Sequence, residues 1–180
     1  MSAREVALEI LMRVNEAGGY SNLVLKNELN RAGLSARDRS FVSMLVYGVL
    51  ERQITLDYVL SSVADRRVSE MEPAVRNILR LGAYQLLYMD KVPPSAAINE
   101  SVESVKISHG SQKSAGFVNA VLHAVHRLDR NITYPPEKNW KTNLGVRYSC
   151  PQWLVKLWAG AYGRERCEQL LQSCFGRPPL

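Results

Sequence analysis

Apolar residues recur every three or four positions along most of this chain, the spacing that places them on one face of an α-helix. The alternating pattern typical of strands is nearly absent, and short connections containing Gly, Pro and Ser separate the periodic segments. The pattern therefore predicts an all-α fold in which residues 1–130 form a bundle of about seven helices joined by short loops.

The helix predicted from Pro73 onward gives the clearest packing signal. Proline suits the first turn of a helix, because its missing N–H would have no partner there. Gly82 lies within the apolar face, where it costs about 1 kcal/mol relative to alanine. We therefore expect Gly82 to let another helix backbone approach closely. Pro93 and Pro94 should end this helix near Asp90, since proline cannot continue it.

The predicted helices contain three polar residues that could bond either within the protein or to an external ligand, namely Arg37, Arg39 and Asn119. Ser35, followed three residues later by Asp38, resembles a capping box at a helix start. Arg37 and Arg39 flank this start, where the helix dipole disfavours cations, so each needs either Asp38 or an external anion as its partner. Asp38 is the favoured partner. Asn119 lies in the apolar run of a later helix, where bonding to a neighbouring turn is favoured over direct contact with a ligand.

The periodicity weakens after residue 130. Residues 131–150 contain the Pro135-Pro136 pair and little helical spacing, which predicts an extended linker or surface wrap. Helical periodicity returns in residues 151–180. We therefore divide the chain into a helical domain (1–130), a linker (131–150) and the helical start of a further, truncated region (151–180).

The charge distribution favours a polyanionic partner. The formal net charge is +6 and the isoelectric point is about 9.4. Residues 1–90 carry 11 basic and 11 acidic side chains, whereas residues 91–180 carry 12 basic and 6 acidic ones. All of the net positive charge therefore lies in the second half, which suits a nucleic acid, although a solvated basic surface is the alternative.

The cysteines and the hydropathy indicate a cytoplasmic protein. The three cysteines lack CxxC spacing and are odd in number, which favours reduced thiols. Cys167 and Cys174 are seven residues apart, so we expect both to be small core residues on one helix face. The N-terminus alternates charged and apolar residues, and no apolar run approaches a membrane span. The three histidines are too poorly spaced to suggest a metal site.

Five segments together resemble a known family. AREVALEIL, DRSFVSMLVYGVLER, LRLGAYQLLY, VPPSAAINESVESVK and GFVNAVL are similar to the NusB-like N-terminal domain of the Sun/RsmB family, the bacterial 16S rRNA cytosine-5 methyltransferases B. They span roughly the first 130 residues. RYSCPQWLVKLWAGAYG resembles the segment that joins this domain to the methyltransferase portion, which a free-standing NusB antitermination factor would not need.

The resemblance implies a chemistry that this chain does not itself carry. It implies S-adenosylmethionine as cofactor, methyl transfer to C5 of a cytosine in 16S rRNA, and a covalent cysteine–base intermediate. The chain has no G-x-G fingerprint, however. Cys150-Pro151 reverses the order of the family's Pro-Cys motif and lacks its flanking residues, so we interpret Cys150 as structural. We expect no catalytic residue, bound cofactor or metal in these 180 residues.

The leading hypothesis is an RNA-binding and positioning domain of such a methyltransferase, with 16S rRNA and its own C-terminal methyltransferase domain as partners and no membrane association. One alternative is a free-standing NusB-like transcription antitermination module that pairs with a ribosomal protein and a leader RNA. Another is a protein scaffold whose helices dimerise or dock on the catalytic half, with Trp153, Trp158 and Tyr162 as the apolar docking face. Basic residues on one face would contact the RNA backbone. The candidate RNA-binding residues are Arg4, Arg37, Arg39, Arg80, Lys106, Lys113, Arg127 and Arg130.

Overall fold

The computed structural model describes residues 1–109 and 112–175. All regular structure in these ranges is helical, which confirms the predicted all-α class. Seven of the described α-helices lie within residues 1–130, in agreement with the predicted number of about seven. The α-helices are α1 (Ala3–Asn15), α2 (Ser21–Arg31), α3 (Ala36–Glu51), α4 (Gln53–Val63), α5 (Pro73–Tyr88), α6 (Pro94–His109), α7 (Gln112–Arg127), α8 (Trp140–Arg147) and α9 (Gln152–Cys174).

Helix α5 is the centre of the bundle and packs against α1, α3, α4, α6 and α7. A β-carbon placed on Gly82 would lie 2.7 Å from Leu122 Cδ1 of α7 and 2.9 Å from Ser101 Oγ of α6. The absence of a side chain at this position therefore lets both neighbouring helices approach the α5 backbone. The close contact predicted at Gly82 is present, but side-chain atoms of the neighbouring helices make it rather than the helix backbone that the sequence predicted.

Local sequence signals set several helix ends. Ser35 caps α3, because its Oγ accepts a 3.1 Å hydrogen bond from the Asp38 N–H. Gly18 and Gly33 follow α1 and α2 with φ angles of 70° and 60°, a left-handed conformation that glycine adopts readily. Pro73 occupies the first turn of α5, and this helix ends at Tyr88, close to the predicted position.

Two hydrophobic clusters lie in the described residues. The larger one draws on α1 to α7 and forms the bundle core. The smaller one lies in residues 131–175, which we call the extension, and is built from Leu144, Cys150, Val155, Cys167 and Leu171.

Helix α4 forms hydrogen bonds that join the extension to the bundle. The Ile54 N–H donates to Ser149 Oγ at 3.0 Å, and the Thr55 hydroxyl donates to the carbonyl of Val146. Further along α4, the Tyr58 hydroxyl donates to a main-chain carbonyl of the extension at 3.0 Å. The extension therefore packs directly on the bundle.

The prediction of an extended linker was wrong for much of residues 131–150. A 3₁₀ turn spans Glu137–Asn139, and α8 follows from Trp140 to Arg147. This helix has only eight residues, too few for helical periodicity to stand out in the sequence. Its stability comes from tertiary contacts instead, because Leu144 is buried and the Asn143 amide donates to the Pro135 carbonyl at 2.7 Å.

Two residues expected in the interior lie at the surface. Cys174 is exposed, because it occupies the last turn of α9 beyond the smaller cluster, whereas Cys167 is buried within that cluster. Asn119 is also exposed, since it lies beside rather than within the buried stripe of α7. None of the described helices combines the length and hydropathy of a membrane-spanning segment.

Candidate functional site

A groove of about 1160 Å³ opens where the start of α3 meets the end of α5 and the α5–α6 loop. Its walls combine aromatic rings, cations and hydroxyl groups, a mixture that suits a ligand with flat apolar parts and negative charge. We call it the α3–α5 groove. Its lining residues are Arg4, Ser35, Arg37, Asp38, Ser40, Phe41, Met44, Tyr84, Tyr88, Met89, Asp90, Lys91, Val92 and Pro93.

The floor of the groove is aromatic. Tyr84 and Tyr88 are one helical turn apart on α5, with ring centroids 5.6 Å from each other. Gly48 of α3 makes room for the first ring, because a β-carbon there would lie 2.1 Å from Tyr84 Cζ. Burial raises the pKa of both phenols, so the floor stays uncharged at neutral pH.

Arg4 is held in place on one wall of the groove. Its Nε donates to Gln85 Oε1 at 2.8 Å, and its guanidinium lies 5.2 Å from the centroid of the Phe41 ring. A longer ion pair of 3.9 Å joins it to Glu100. These contacts orient the guanidinium before any ligand arrives.

Arg37 and Lys91 differ from Arg4 because both are exposed and neither forms an ion pair within residues 1–109 and 112–175. The two carboxylates of the groove are already engaged. Asp38 accepts a 2.8 Å hydrogen bond from the Ser35 hydroxyl, and Asp90 pairs with Arg130. The groove therefore presents two cations that can neutralise an anionic ligand.

Arg130 reaches the edge of the groove because of the backbone that follows α7. Asp129 and Arg130 adopt left-handed conformations with φ angles of 48° and 62°. This turn directs Arg130 back onto the end of α5, where its Nε donates to the Leu86 carbonyl at 3.3 Å in addition to the ion pair with Asp90. Arg127 is exposed at the end of α7, three residues before Arg130.

The expectation that Asp38 pairs with Arg37 or Arg39 was wrong, since Asp38 bonds to Ser35 instead. Arg39 donates to the Leu29 carbonyl at 2.7 Å and to Asn30 Oδ1 at 3.2 Å, both near the end of α2. The last carbonyls of a helix lack intrahelical partners and carry the negative end of its dipole, so they attract a cation. Arg39 therefore joins α3 to α2.

Arg80 lies in the interior, with 7% of its surface exposed. Its guanidinium makes two hydrogen bonds to the Asp57 carboxylate, at 2.7 and 2.8 Å, and a third to Asn77 Oδ1 at 3.1 Å. This arrangement occupies the guanidinium within the bundle, between α4 and α5.

Lys106 and Lys113 are far from the groove. Lys106 pairs with Glu103 at 2.6 Å on α6. Lys113 lines a separate depression with Arg66, where the start of α7 meets the start of α5. Since α5 has 16 residues and rises about 1.5 Å per residue, the two ends of the bundle are about 24 Å apart. The structure thus brings together Arg4, Arg37 and Arg130 and separates them from these lysines.

Three groove residues were missed by the sequence reasoning. Tyr84 and Tyr88 were not identified because their spacing of four fits core packing equally well, although that spacing was the available signal. Lys91 lies in the short loop before the two prolines. Nothing in its local pattern distinguishes it from any other surface lysine.

The sequence of residues 1–127 matches the model of the NusB family. A probable ribosomal RNA small subunit methyltransferase B of Bacillus subtilis is 38% identical over 169 residues, which are 94% of this chain and 37% of that protein. A Synechocystis protein with the same description is 36% identical over 100% of this chain and 40% of its own length. The chain therefore spans about two fifths of these relatives, and the resemblance seen in the sequence is confirmed.

Shorter relatives match a smaller part of the chain. The transcription antitermination protein NusB of Xanthomonas campestris is 36% identical over 67% of this chain and 75% of its own length. Among solved structures, one chain of the crystal structure of antitermination factors NusB and NusE in complex with dsRNA has a TM-score of 0.64 and 22% identity, covering 69% of this chain and 93% of its own. The crystal structure of PH0851 has a TM-score of 0.74 and 16% identity, covering 99% of this chain and 40% of its own. These two likenesses support the NusB-like fold.

Proposed function

This chain belongs to the NusB family, and we propose that it is the RNA-binding and positioning domain of a cytoplasmic, S-adenosylmethionine-dependent 16S rRNA cytosine-5 methyltransferase. The extent of the match carries the proposal. The family model ends at residue 127, yet the methyltransferase B relatives cover 94% and 100% of the chain and therefore include most or all of the extension. The antitermination relative covers only 67%, which makes a free-standing antitermination module the weaker alternative.

In this proposal, the catalytic chemistry belongs to the part of the longer relatives that this chain does not cover. This chain contains no G-x-G sequence to hold S-adenosylmethionine. Burial raises the pKa of the Cys150 thiol, whereas a nucleophilic cysteine needs a lowered pKa. The role of this chain is consequently to bind the RNA substrate and to present it.

The α3–α5 groove is the RNA site in this proposal. Arg37 and Lys91 neutralise backbone phosphates, and Arg4 adds a guanidinium that is already oriented. The rings of Tyr84 and Tyr88 offer flat surfaces for bases that are not paired. A structural neighbour, NusB with NusE, was crystallised with dsRNA, which supports RNA as the class of ligand.

The salt dependence of binding tests the groove directly. The affinity for fluorescently labelled 16S rRNA fragments is measured by anisotropy over a series of salt concentrations. Arg37→Ala and Lys91→Ala should each weaken binding, and each should reduce the slope of log affinity against log salt by about one, since one phosphate contact is lost. The matched controls are Lys106→Ala and Lys113→Ala at the other end of the bundle, which should leave the slope unchanged.

Two results would contradict this assignment. If only Lys106→Ala and Lys113→Ala reduce the slope, RNA binds the opposite end of the bundle. An affinity that does not change with salt would exclude a phosphate-based interface altogether.

The role in catalysis is tested in the full-length gene product. Methyl transfer from labelled S-adenosylmethionine to 16S rRNA is followed for the wild type and for the Arg37→Ala and Lys91→Ala double variant. A substrate-binding domain predicts a higher KM for RNA with little change in kcat. A full-length product that transfers no methyl group to 16S rRNA, or that contains no sequence beyond this chain, would contradict the proposal.

A further inference from the structure

Helix α9 carries an apolar face that no described residue covers. Trp153 is 67% exposed and Leu157 is 58% exposed. Gly160 and Ala161 are exposed on the same side, because residues three, four, seven and eight positions apart share one face of a helix. We call these four residues the α9 outer face.

The α9 outer face is not needed for the extension to fold. Helix α9 is kinked at Gly163, which has a φ angle of 81°. The opposite side of the segment before the kink supplies Val155 to the smaller cluster. The segment after the kink supplies Cys167 and Leu171, and Cys167 Sγ lies 3.8 Å from the Val155 carbonyl oxygen. Gly160 faces open space, since a β-carbon there would meet no atom within 4 Å. A neighbouring backbone could therefore come close at this point.

The chemistry of this face also differs from that of the α3–α5 groove. Its four residues carry no charge, and Lys156 is the cation beside it. A large exposed indole next to leucine typically marks a surface that another protein surface covers. An RNA backbone would instead require several cations.

We propose that the α9 outer face packs against the catalytic part of the same polypeptide and so fixes the position of the RNA groove relative to the catalytic centre. This inference rests on the proposed function. The relatives that match the extension are also the ones with a long stretch of sequence that this chain does not cover. The two antitermination relatives match only 67% and 69% of this chain, although the match covers 75% and 93% of their own length. The methyltransferase B of Synechocystis and PH0851, covered over 40% of their own length, match 100% and 99% of it.

The structure offers a closely matched pair of variants for the test. Leu157 and Tyr162 are 58% and 59% exposed on the same helix. They are five residues apart, which turns Tyr162 by about 140° away from the outer face. Leu157→Asp should lower the melting temperature of the full-length protein and leave that of the 180-residue chain unchanged. Tyr162→Asp should change neither melting temperature.

Hydroxyl-radical footprinting gives a readout that does not depend on a substitution. The oxidation rate of Trp153, measured by mass spectrometry, should be several-fold lower in the full-length protein than in the 180-residue chain. Equal oxidation rates in the two proteins, or equal effects of Leu157→Asp and Tyr162→Asp, would overturn the docking inference. Light scattering that shows a dimer of the 180-residue chain, lost in Leu157→Asp, would overturn it in favour of self-association.

Failure of this inference can be told apart from failure of the proposed function. A full-length protein that methylates 16S rRNA while Trp153 stays fully accessible would disprove the docking and leave the function intact. A protein that lacks methyl-transfer activity but protects Trp153 would refute the function and retain an intramolecular interface.

Discussion

The ion pair between Arg80 and Asp57 gives the sharpest test of the structure, because the sequence alone placed Arg80 at the RNA surface. The Arg80 side chain is 8% exposed and the Asp57 side chain 32% exposed. Asp57→Ala would leave the guanidinium buried with only Asn77 as a partner. Removing one partner of a buried ion pair costs about 3–5 kcal/mol, and the partial exposure of Asp57 favours the lower value, about 3 kcal/mol.

Thermal and urea denaturation of the 180-residue chain measure this loss. For a protein of this size a loss of 1 kcal/mol lowers the melting temperature by about 2–4 °C, so Asp57→Ala should lower it by about 6–12 °C. The urea midpoint should fall with an unchanged slope. The matched control is Asp65→Ala, which removes an exposed carboxylate and should leave the melting temperature within about 1 °C.

A double variant separates the structural role from an RNA-binding role. Replacing a whole buried ion pair by apolar side chains is often neutral or stabilising. The combination of Asp57→Leu and Arg80→Met should therefore recover most of the lost stability and bind RNA as the wild type does. Unchanged stability in Asp57→Ala, together with weaker RNA binding in the double variant, would refute the reasoning.

Four further substitutions probe the bundle. Gly82→Ala should destabilise the bundle by up to about 2 kcal/mol, because overpacking costs about 1–3 kcal/mol and the gain in helix propensity is about 1 kcal/mol. A β-carbon at Gly116 meets no atom within 4 Å, so Gly116→Ala should stabilise the bundle by about 0.5–1 kcal/mol. Urea denaturation measures both changes. Ser35→Ala removes the α3 cap and should cost about 1 kcal/mol by the same measurement. The hydrogen bond from Arg76 holds the pKa of Glu16 below its ordinary value of 4.5. Glu16 therefore stabilises the fold above that value and loses this contribution as the pH falls through the folded pKa, so Glu16→Gln should lower the melting temperature at neutral pH but hardly in acid.

A specific result would contradict the expectations for the glycines and for Glu16. Equal effects of the two glycine substitutions would show that the tight contact with Leu122 does not limit packing. A melting-temperature difference for Glu16→Gln that persists in acid would show that the side chain acts by packing rather than by charge.

Features set by neighbouring residues in the sequence could be predicted, and features set by distant residues could not. Pro73 and Ser35 mark helix starts through the chemistry of one turn, and Gly82 stands out within an apolar stripe. The partner of Arg39 lies 10 residues away at the end of α2, and that of Arg80 lies 23 residues away on α4. No local pattern encodes such pairings, so the sequence could nominate these arginines but could not distinguish buried from exposed ones.

The groove itself illustrates the same limit. Arg37 could be nominated from its place at a helix start, whereas Lys91, Tyr84 and Tyr88 become site residues only when α5 packs on α3. The 2.1 Å separation between a β-carbon at Gly48 and the Tyr84 ring shows how tightly that packing sets the aromatic floor. A binding surface assembled from two helices and a loop cannot be read from any one of them.

Arg52 connects the groove to the extension. It lies between α3 and α4, and its guanidinium is 4.2 Å from the centroid of the Tyr88 ring and 5.1 Å from that of Phe175. Tyr88 lines the groove, while Phe175 follows α9 and also packs on Tyr148 of the extension. One cation therefore contacts both the wall of the proposed RNA site and the residue that follows the second segment of α9, after the kink at Gly163. This contact and the hydrogen bonds from α4 hold the extension beside the groove, as the proposed role in positioning RNA requires.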